Sequence, residues 1–402
     1  MKTLLTHNFY GSSAPSGENS VFDAEFALIK SHDLSVIKYM RHSDEIRTQG
    51  IWGKIKGAVS TPWNPFSYNE IKKIVKKESP DIVHVHNTFP LISPSIFHAL
   101  KDSDSAVVMT LHNYRIFCAA GIPMRNNKIC TECLDNKSSL NALKYGCYRK
   151  SRLATIPMAL MIELHRKIGT WENHIDAFIA LTEFQKHTMI QAGLPLEKVY
   201  IKPHFYAGNP KFIEYENREK CVVFVGRLGL EKGIFDLLNA WKLWGETAPL
   251  LKIIGDGELK HDIKRFIDLN GLDKTIKLEG LLPFEKVQKT ISKSSLLILP
   301  SICFEGFPMT IREAFAHGVP VAGSDIGSIP DIVDEGINGV LFKPGNAKDL
   351  LEKVKALWND HNRLELLAKA AKEKFEKLYT EDVNYEILMD IYQKAIENRK
   401  GK

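Results

Sequence analysis

Residues 296–320 read as a strand, a loop and a helix in immediate succession. The apolar run Leu296–Leu299 is short and bounded, the pattern of a strand buried on both faces. It stops at Pro300, and the loop that follows carries Glu305 and Gly306 at its tip. Pro308 stands where a helix can start, because a first-turn N–H has no intrahelical partner to lose. The helix predicted over Met309–His317 ends at Gly318, a C-terminal stop. Glu305 is thus placed at the carboxyl edge of a strand, where open α/β sheets bind ligands. The free N–H groups of Gly306–Met309 suit a phosphate. Glu313 lies inside the helix beside Ala314, Phe315 and Ala316, an apolar setting for an acid. As bare charges, Glu305 would be a loop acid and Glu313 part of a solvated helix face.

A second unit of the same kind lies upstream. The strand Cys221–Val225 runs into Gly226-Arg227-Leu-Gly-Leu-Glu-Lys232-Gly233, a glycine turn opening a helix, with two cations five positions apart. Arginine and lysine at a strand-to-helix turn suit a pyrophosphate. Strands follow at Leu251–Ile254 and Ile276–Gly280, and the loop Gly280-Leu281-Leu-Pro283 would edge a nucleobase. Another strand is predicted at Val319–Gly323, Asn338-Gly339 reads as a hairpin turn, and helices fill residues 347–399. No Gly-x-Gly-x-x-Gly opens either half of the chain, which argues against a nicotinamide dehydrogenase.

Glu305-x7-Glu313 within Glu-Gly-Phe-Pro, followed by Ala-x-x-His-Gly-x-Pro-Val and preceded by Gly-Arg-Leu-x4-Gly, resembles the signature of the retaining family 4 glycosyltransferases. The resemblance implies an α/β chain of GT-B architecture, two facing Rossmann-like domains with a cleft between them. Residues 1–205 would form the acceptor domain and 206–379 the nucleotide-sugar domain, with a last helix, about 380–402, packing back on the first. The implied donor set is Gly17, Gly226, Arg227, Lys232, Gly280, Leu281, Glu305, Gly306, Phe307, Pro308, Met309 and Glu313. Arg227 and Lys232 would hold the diphosphate, Glu313 the ribose hydroxyls, and Glu305 the sugar. His112-Asn113-Tyr114 matches the family's His-Asp-Tyr element with Asn113 in place of aspartate, and His112 would orient the sugar near the phosphate. His112, Glu305, Arg227 and Lys232 form the implied catalytic set. Ser16-Gly17-Glu18 is a partial match to the family's Gly-Gly-Glu loop. Retention in the family is explained by same-face attack, with the leaving phosphate taking the acceptor's proton.

The expected activity is transfer of a sugar from a UDP- or GDP-sugar to a saccharide or lipid-linked saccharide, in bacterial surface polysaccharide synthesis (capsule, exopolysaccharide or O-antigen). A nucleotide-sugar epimerase of the same fold and a non-catalytic sugar-nucleotide-binding protein are the alternatives. No catalytic metal is expected. Asp102-Ser-Asp104 precedes its strand instead of following it, and reads as a polar turn.

The N-terminal half begins strand, loop, helix, strand over residues 1–40, with the loop at Phe9–Asn19 and the helix from Ser20. The strand at 81–87 carries His84 and His86, read as packed within it. The strand Ser105–Leu111 ends at His112. An insertion at 113–150 holds Cys118, Cys130, Cys133 and Cys147. Cys130-x2-Cys133 has metal-ligand spacing, and the outer pair could complete a structural zinc site. Four reduced thiols in a lid loop is the alternative. Residues 148–171 place Leu153, Ile156, Leu160, Leu164 and Ile168 at helical spacing between basic ends. That helix is either packed on its domain or laid on a membrane surface.

Charge is uneven. Residues 1–205 hold 25 Lys and Arg against 18 Asp and Glu, and the remainder 29 against 30. A basic half suits an anionic neighbour such as a membrane. No zinc-finger, RNA-recognition or helix-turn-helix pattern points to nucleic acid. No apolar run approaches the ~20 residues of a membrane span, and the first residues are too short and polar for a signal peptide. The expected location is the cytosol, with peripheral contact on the inner face of the cell membrane.

Overall fold

A computed structural model describes residues 1–12 and 16–401. Residues 13–15, within the expected Phe9–Asn19 loop, and residue 402 lie outside the described residues. The chain divides into two compact units, one of residues 1–123, 130–203 and 384–402, the other of residues 124–129 and 204–383. The division falls after Pro203 and before Asn384, and it assigns the short hairpin inside the cysteine-rich insertion to the second unit.

The N-terminal unit is built on six parallel strands: β1 (Lys2–Phe9), β2 (Ser35–His42), β3 (Ile82–Asn87), β4 (Ala106–Thr110), and, beyond the two-residue strands β5 (Met124–Arg125) and β6 (Lys128–Ile129), β7 (Ala177–Ala180) and β8 (Val199–Ile201). Their order across the sheet is β2-β1-β3-β4-β7-β8. β3 is buried along its whole length. That is why its sequence reads as a continuous apolar run broken only by histidines. One core packs Leu5, Phe22, Ile82, Val108 and Ile179 together with Leu388, Ile391 and Tyr392 of the last helix, Glu381–Lys400. Arg399 near that helix's end donates to the carbonyls of Leu100, Lys101 and Ser103.

The second unit repeats the design with β9 (Glu219–Val225), β10 (Leu250–Ile254), β11 (Ile276–Gly280), β12 (Ser294–Leu299), β13 (Val321–Ser324) and β14 (Gly339–Phe342) in the order β11-β10-β9-β12-β13-β14. All of its strand pairs are parallel. Each sheet therefore reverses its strand order once, between β1 and β3 in the first and between β9 and β12 in the second. These two unlike sheets, both parallel and wound with helices, are Rossmann-like.

Three sequence expectations change. The first helix starts at Gly17, not Ser20, because the Ser16 side chain caps it by accepting from the Glu18 N–H. Asn338-Gly339 is no hairpin turn, since β13 and β14 run parallel. Asn338 instead ties its loop to Asp334, and a Cβ on Gly339 would meet the Val321 carbonyl oxygen at 2.1 Å. The insertion contains an unforeseen hairpin, β5–β6, whose turn residues Asn126 and Asn127 both take positive φ, the requirement of a tight two-residue turn.

His7 and His84 are buried in the N-terminal unit, and burial lowers them to about 3 and about 4. Unfolded histidines take up protons near pH 6.5. Below that pH the unfolded chain binds protons that the folded unit refuses, so stability is full above about 6.5 and falls as pH drops towards 4. The loss should be on the order of 3 kcal/mol per histidine. Melting curves at pH 7 and pH 5 should differ accordingly, and His7→Phe should shrink the difference. A melting temperature flat across that window would show that neither ring is held neutral.

Candidate functional site

In the second unit the sheet reversal lies between β9 and β12, and the loops that leave their carboxyl ends are the two motif loops. They are fastened to each other. The Ile302 N–H donates to the Glu231 carbonyl at 2.9 Å. Gly233 takes φ +64°, and a Cβ there would lie 1.8 Å from the Pro300 carbonyl oxygen, so only glycine fits. Lys232 Nζ donates to Glu305 Oε1 at 2.6 Å, and Ser301 Oγ donates to the same oxygen at 2.6 Å. Burial alone would raise Glu305, but the Lys232 ammonium and Ser301 outweigh it and hold the carboxyl below its ordinary value. The same Glu305 charge keeps Lys232 raised against its own burial.

Arg227 is different. Its side chain is 65% exposed and pairs with Glu231 at 2.5 Å. Gly226 lies against the next turn, where a Cβ on Gly255 would meet the Gly226 carbonyl oxygen at 1.9 Å. Gly280 takes φ +73° at the end of β11, and Leu281 after it is exposed.

The helix after Pro308 runs Met309–Ala316, with Pro308 as its cap residue. Gly306 precedes it. Phe307, expected among the donor contacts, buries its ring edge-on against His204 and Tyr379 at 5.4 and 5.9 Å. Its side chain anchors the loop. Glu313 is buried, and burial raises it despite Arg312 and a 3.0 Å hydrogen bond from Gln288 Nε2. Arg312 also donates to the Phe205 carbonyl. Gln288 and Arg312 are site residues the sequence reading missed. Gln288 had a signal, since it shares the buried stripe of its helix with Ile291 and Ser292.

In the N-terminal unit the reversal lies between β1 and β3, and there the structure gathers a buried chain of charges. Glu25 Oε2 accepts from Lys202 Nζ at 2.8 Å, both side chains 1% exposed, and Lys202 also donates to Asn384 at 3.0 Å. Glu25 Oε1 lies 3.0 Å from His84 Nδ1 and 3.1 Å from His86 Nε2. His86 Nδ1 lies 3.0 Å from His112 Nε2. Burial would raise Glu25, yet Lys202, His84 and His86 reverse this and hold it well below the ordinary range. A charged carboxylate only accepts, so His86 Nε2 carries a proton and donates. His86 Nδ1 accepts from His112 Nε2 when His86 is neutral and donates to it when His86 is protonated, and in both cases it orients the His112 ring at the carboxyl end of β4. Among the described residues, Glu25, His84 and His86 are the group whose ligand atoms all lie within 4.8 Å, as a metal would need. The Lys202 ammonium already occupies the cation's place on that carboxylate.

Gly17 opens the first helix, and Glu18 beside it accepts from Asn113 Nδ2 at 2.7 Å. Burial raises Glu18 against the pull of Asn113 and Arg115. A cavity of about 30 Å³ lined by His86, Met109, His112, Asn113, Arg115 and Met161 adjoins this cluster, room for one or two waters.

The four insertion cysteines are reduced. Burial pushes Cys118 up to about 11 and Cys133 up to about 12, with the thiols of Cys118, Cys147 and Cys130 adding to the effect on Cys133. They share a neighbourhood, but among the described residues they form no group of three within 4.8 Å. Asp102-Ser-Asp104 is a turn, as expected.

Two family patterns match the chain, "Glycosyltransferase Family 4" over residues 18–206 and "Glycosyl transferases group 1" over residues 209–374. The uncharacterized glycosyltransferase MJ1178 of Methanocaldococcus jannaschii is 35% identical over 316 residues, 78% of this chain and 75% of that protein. The amylovoran biosynthesis glycosyltransferase AmsK of Erwinia amylovora is 25% identical over 231 residues, 54% of this chain and 56% of that protein. The match therefore spans little more than half of AmsK. The crystal structure of Anabaena HepE in complex with UDP superposes with a TM-score of 0.65 at 16% identity, covering 98% of this chain and 100% of that one. At that identity it shows a shared fold.

The Glu25–His86–His112 chain yields a test. His86→Phe keeps the ring volume but removes both hydrogen bonds. Glu25, Lys202, His84 and His7 surround His86, while Glu18 and Arg115 flank Asn113 beside His112, so the loss of one imidazole leaves the other charges in place. Turnover at pH 7 should fall by up to roughly 10²-fold, the scale of a misplaced group beside the reacting atoms, with nucleotide affinity unchanged. Wild-type turnover in the folded variant would mean that His86 only fills space.

Proposed function

We propose, because the chain belongs to the family 4 glycosyltransferases, that it transfers a sugar from a nucleoside diphosphate to an acceptor hydroxyl with retention of configuration. The observation that carries the reading is the joining of Arg227–Gly233 to Pro300–Met309 at the reversal point of the second sheet. A diphosphate leaving group needs developing negative charge stabilised. Arg227 offers an exposed guanidinium, and the N–H groups from Gly306 to Met309 open a helix. Glu313 would accept from the ribose hydroxyls. Lys232, held on Glu305, would share its charge between that carboxylate and the phosphate as donor enters. In the transfer, the bond from the anomeric carbon to the phosphate oxygen breaks and its electron pair goes to the diphosphate. The acceptor oxygen forms the new bond on the same face, and its proton passes to the departing phosphate. Protein cations do the work a metal would otherwise do, so no catalytic metal is required.

The solved HepE complex holds UDP, which supports a UDP-sugar as donor ahead of a GDP-sugar. The relative named for amylovoran biosynthesis supports a polysaccharide context, with a saccharide or lipid-linked saccharide as acceptor. Among the described residues no helix is long and apolar enough to cross a membrane, which is compatible with peripheral contact.

The geometry separates two variants that sequence alone would equate. Arg227→Ala removes an exposed cation and should weaken UDP binding by about 1.5–3 kcal/mol while leaving the melting temperature unchanged. Lys232→Ala strands the mostly buried Glu305, so it should lower stability as well as affinity, and Glu305→Gln added to it should recover stability but not binding. Calorimetric titration with UDP together with melting curves reads both. Unchanged UDP affinity in Arg227→Ala and Lys232→Ala would remove the diphosphate clamp from this site.

Chelation addresses both metal questions. Transfer should persist in EDTA, and immediate loss restored by magnesium would refute catalysis by protein cations. The structural zinc on Cys118, Cys130, Cys133 and Cys147 is a separate proposal. The electrostatic closeness of the Cys118, Cys147 and Cys130 thiols to Cys133 supports it, while the sulfur spacing stands against it. Elemental analysis of purified protein should find about one zinc per chain. No zinc with four titratable thiols would dismiss it.

A further inference from the structure

Two neighbouring helices of the N-terminal unit turn rows of large apolar side chains to solvent. In the helix Gly50–Ser60, Ile51, Trp52 and Val59 are 69–77% exposed and Ile55 is 48% exposed. Spacing of four places Ile51, Ile55 and Val59 in one row. The helix cannot roll to hide them, because its opposite face is seated through glycines. A Cβ on Gly53 would meet the Ile46 carbonyl oxygen at 2.1 Å, and one on Gly57 would meet Ile46 Cδ1 at 2.8 Å. The helix Arg152–Lys167 contacts this one. It buries Thr155, Met158, Met161 and Ile162 and leaves Leu153 80% and Leu160 54% exposed, with Ile156 between them at 41%.

The charges interleaved in sequence with these rows are basic, and the acids nearest to them are Glu45, within electrostatic reach of Lys56, and Glu163 at the far end of the second helix. No acid occurs between Glu45 and Glu70, where Lys54 and Lys56 interleave with the first row. No acid occurs between Asp135 and Glu163, a stretch that holds Lys137, Lys144, Arg149, Lys150 and Arg152. Arg149 and Lys150, both exposed, each hold φ of 54°. Two successive side-chain-bearing residues in the left-handed region are uncommon, and here they fix basic groups at the start of the second row.

We propose that this face, the rows of Gly50–Ser60 and Arg152–Lys167 with their lysines and arginines, docks on the surface of an anionic phospholipid bilayer. Charge complementarity selects the occupant. A second copy of the chain would bring like charges together across the contact. A bilayer surface instead offers acyl carbon to the rows and anionic headgroups to their basic margins over the same area. Trp52 has the amphipathic ring favoured at that depth. The docking is independent of the transfer chemistry and would hold for the chain without donor or acceptor.

Full-length protein is sedimented with vesicles of phosphatidylcholine alone and with vesicles that also contain phosphatidylglycerol, at low and high salt. Binding should require the anionic lipid and weaken with salt. Brominated lipid should quench tryptophan fluorescence in the wild type and much less in Trp52→Ser. Ile51→Ser with Leu153→Ser, and separately Lys54→Glu with Lys150→Glu, should each cut vesicle binding roughly tenfold or more. All four positions are exposed, and circular dichroism and melting curves verify the fold of each variant without reference to activity. Equal binding to both vesicle types, wild-type binding by the folded variants, or concentration-dependent dimerisation abolished by the same substitutions would overturn the proposal.

Discussion

The N-terminal unit depends on one buried ion pair. Glu25 and Lys202 join the first helix to the segment after β8, and Asn384 extends the junction to the last helix. Removing two charges from water is costly, and such a pair is weak grounds for stability in itself. Its consequence lies in what the carboxylate does with its remaining oxygen. Held ionised by Lys202, Glu25 can only accept, and that restriction makes His86 Nε2 a donor and leaves His86 Nδ1 to face His112. A protonated glutamate would impose no such order. The chemistry of an imidazole at the edge of β4 therefore depends on a lysine distant from it in sequence, which also explains why residues 384–402 belong with the first sheet.

The second unit reaches fixed geometry by a different route. Its motif loops are locked by close backbone approach, Gly233 against Pro300, and a single ion pair, Lys232 with Glu305, closes over that contact. Glycine is required by the approach and not by a wish for flexibility. The ion pair lies beside that contact, with Ser301 donating to the same carboxylate oxygen. Arg227, two residues after β9 and outside this lock, keeps a largely exposed side chain paired with Glu231. Of the two cations in the motif, Lys232 is held in the lock by Glu305, and Arg227 pairs with Glu231 on the exposed side of the loop.

Much of this was legible in the sequence, for physical reasons. Strands buried on both faces announce themselves as short apolar runs, and the loops at their carboxyl ends announce themselves by glycine and proline. The motif residues Gly226, Arg227, Lys232, Glu305 and Glu313 were found that way, and the structure brings Arg227, Lys232 and Glu305 together. The pairing of Lys232 with Glu305 was not legible, because it links residues 73 positions apart. Glu25 was passed over because acids on amphipathic helices are usually solvated. It had a signal, since it shares the buried stripe of Val21, Phe22, Leu28 and Ile29. The row Ile51, Ile55 and Val59 defeats periodicity altogether. The pattern reports an apolar face, and only packing shows that the glycine face turned inward. In the helix Arg152–Lys167 the expected stripe exists but is the solvent side.

Asn113 shows how a departure from a family pattern can be weighed by contacts. Its Oδ1 accepts from the Arg115 backbone N–H at 2.9 Å, so its Nδ2 must be the atom that faces Glu18. An aspartate in this position would present an acceptor where the structure has a donor. Two carboxylates at that separation could not both stay ionised, and one proton would have to be held between them. With asparagine the contact needs no shared proton. Burial still raises Glu18, so the group keeps the capacity to titrate without relying on a neighbouring acid to do it. The replacement therefore changes which proton is present beside His112 and not whether the loop and the strand end meet.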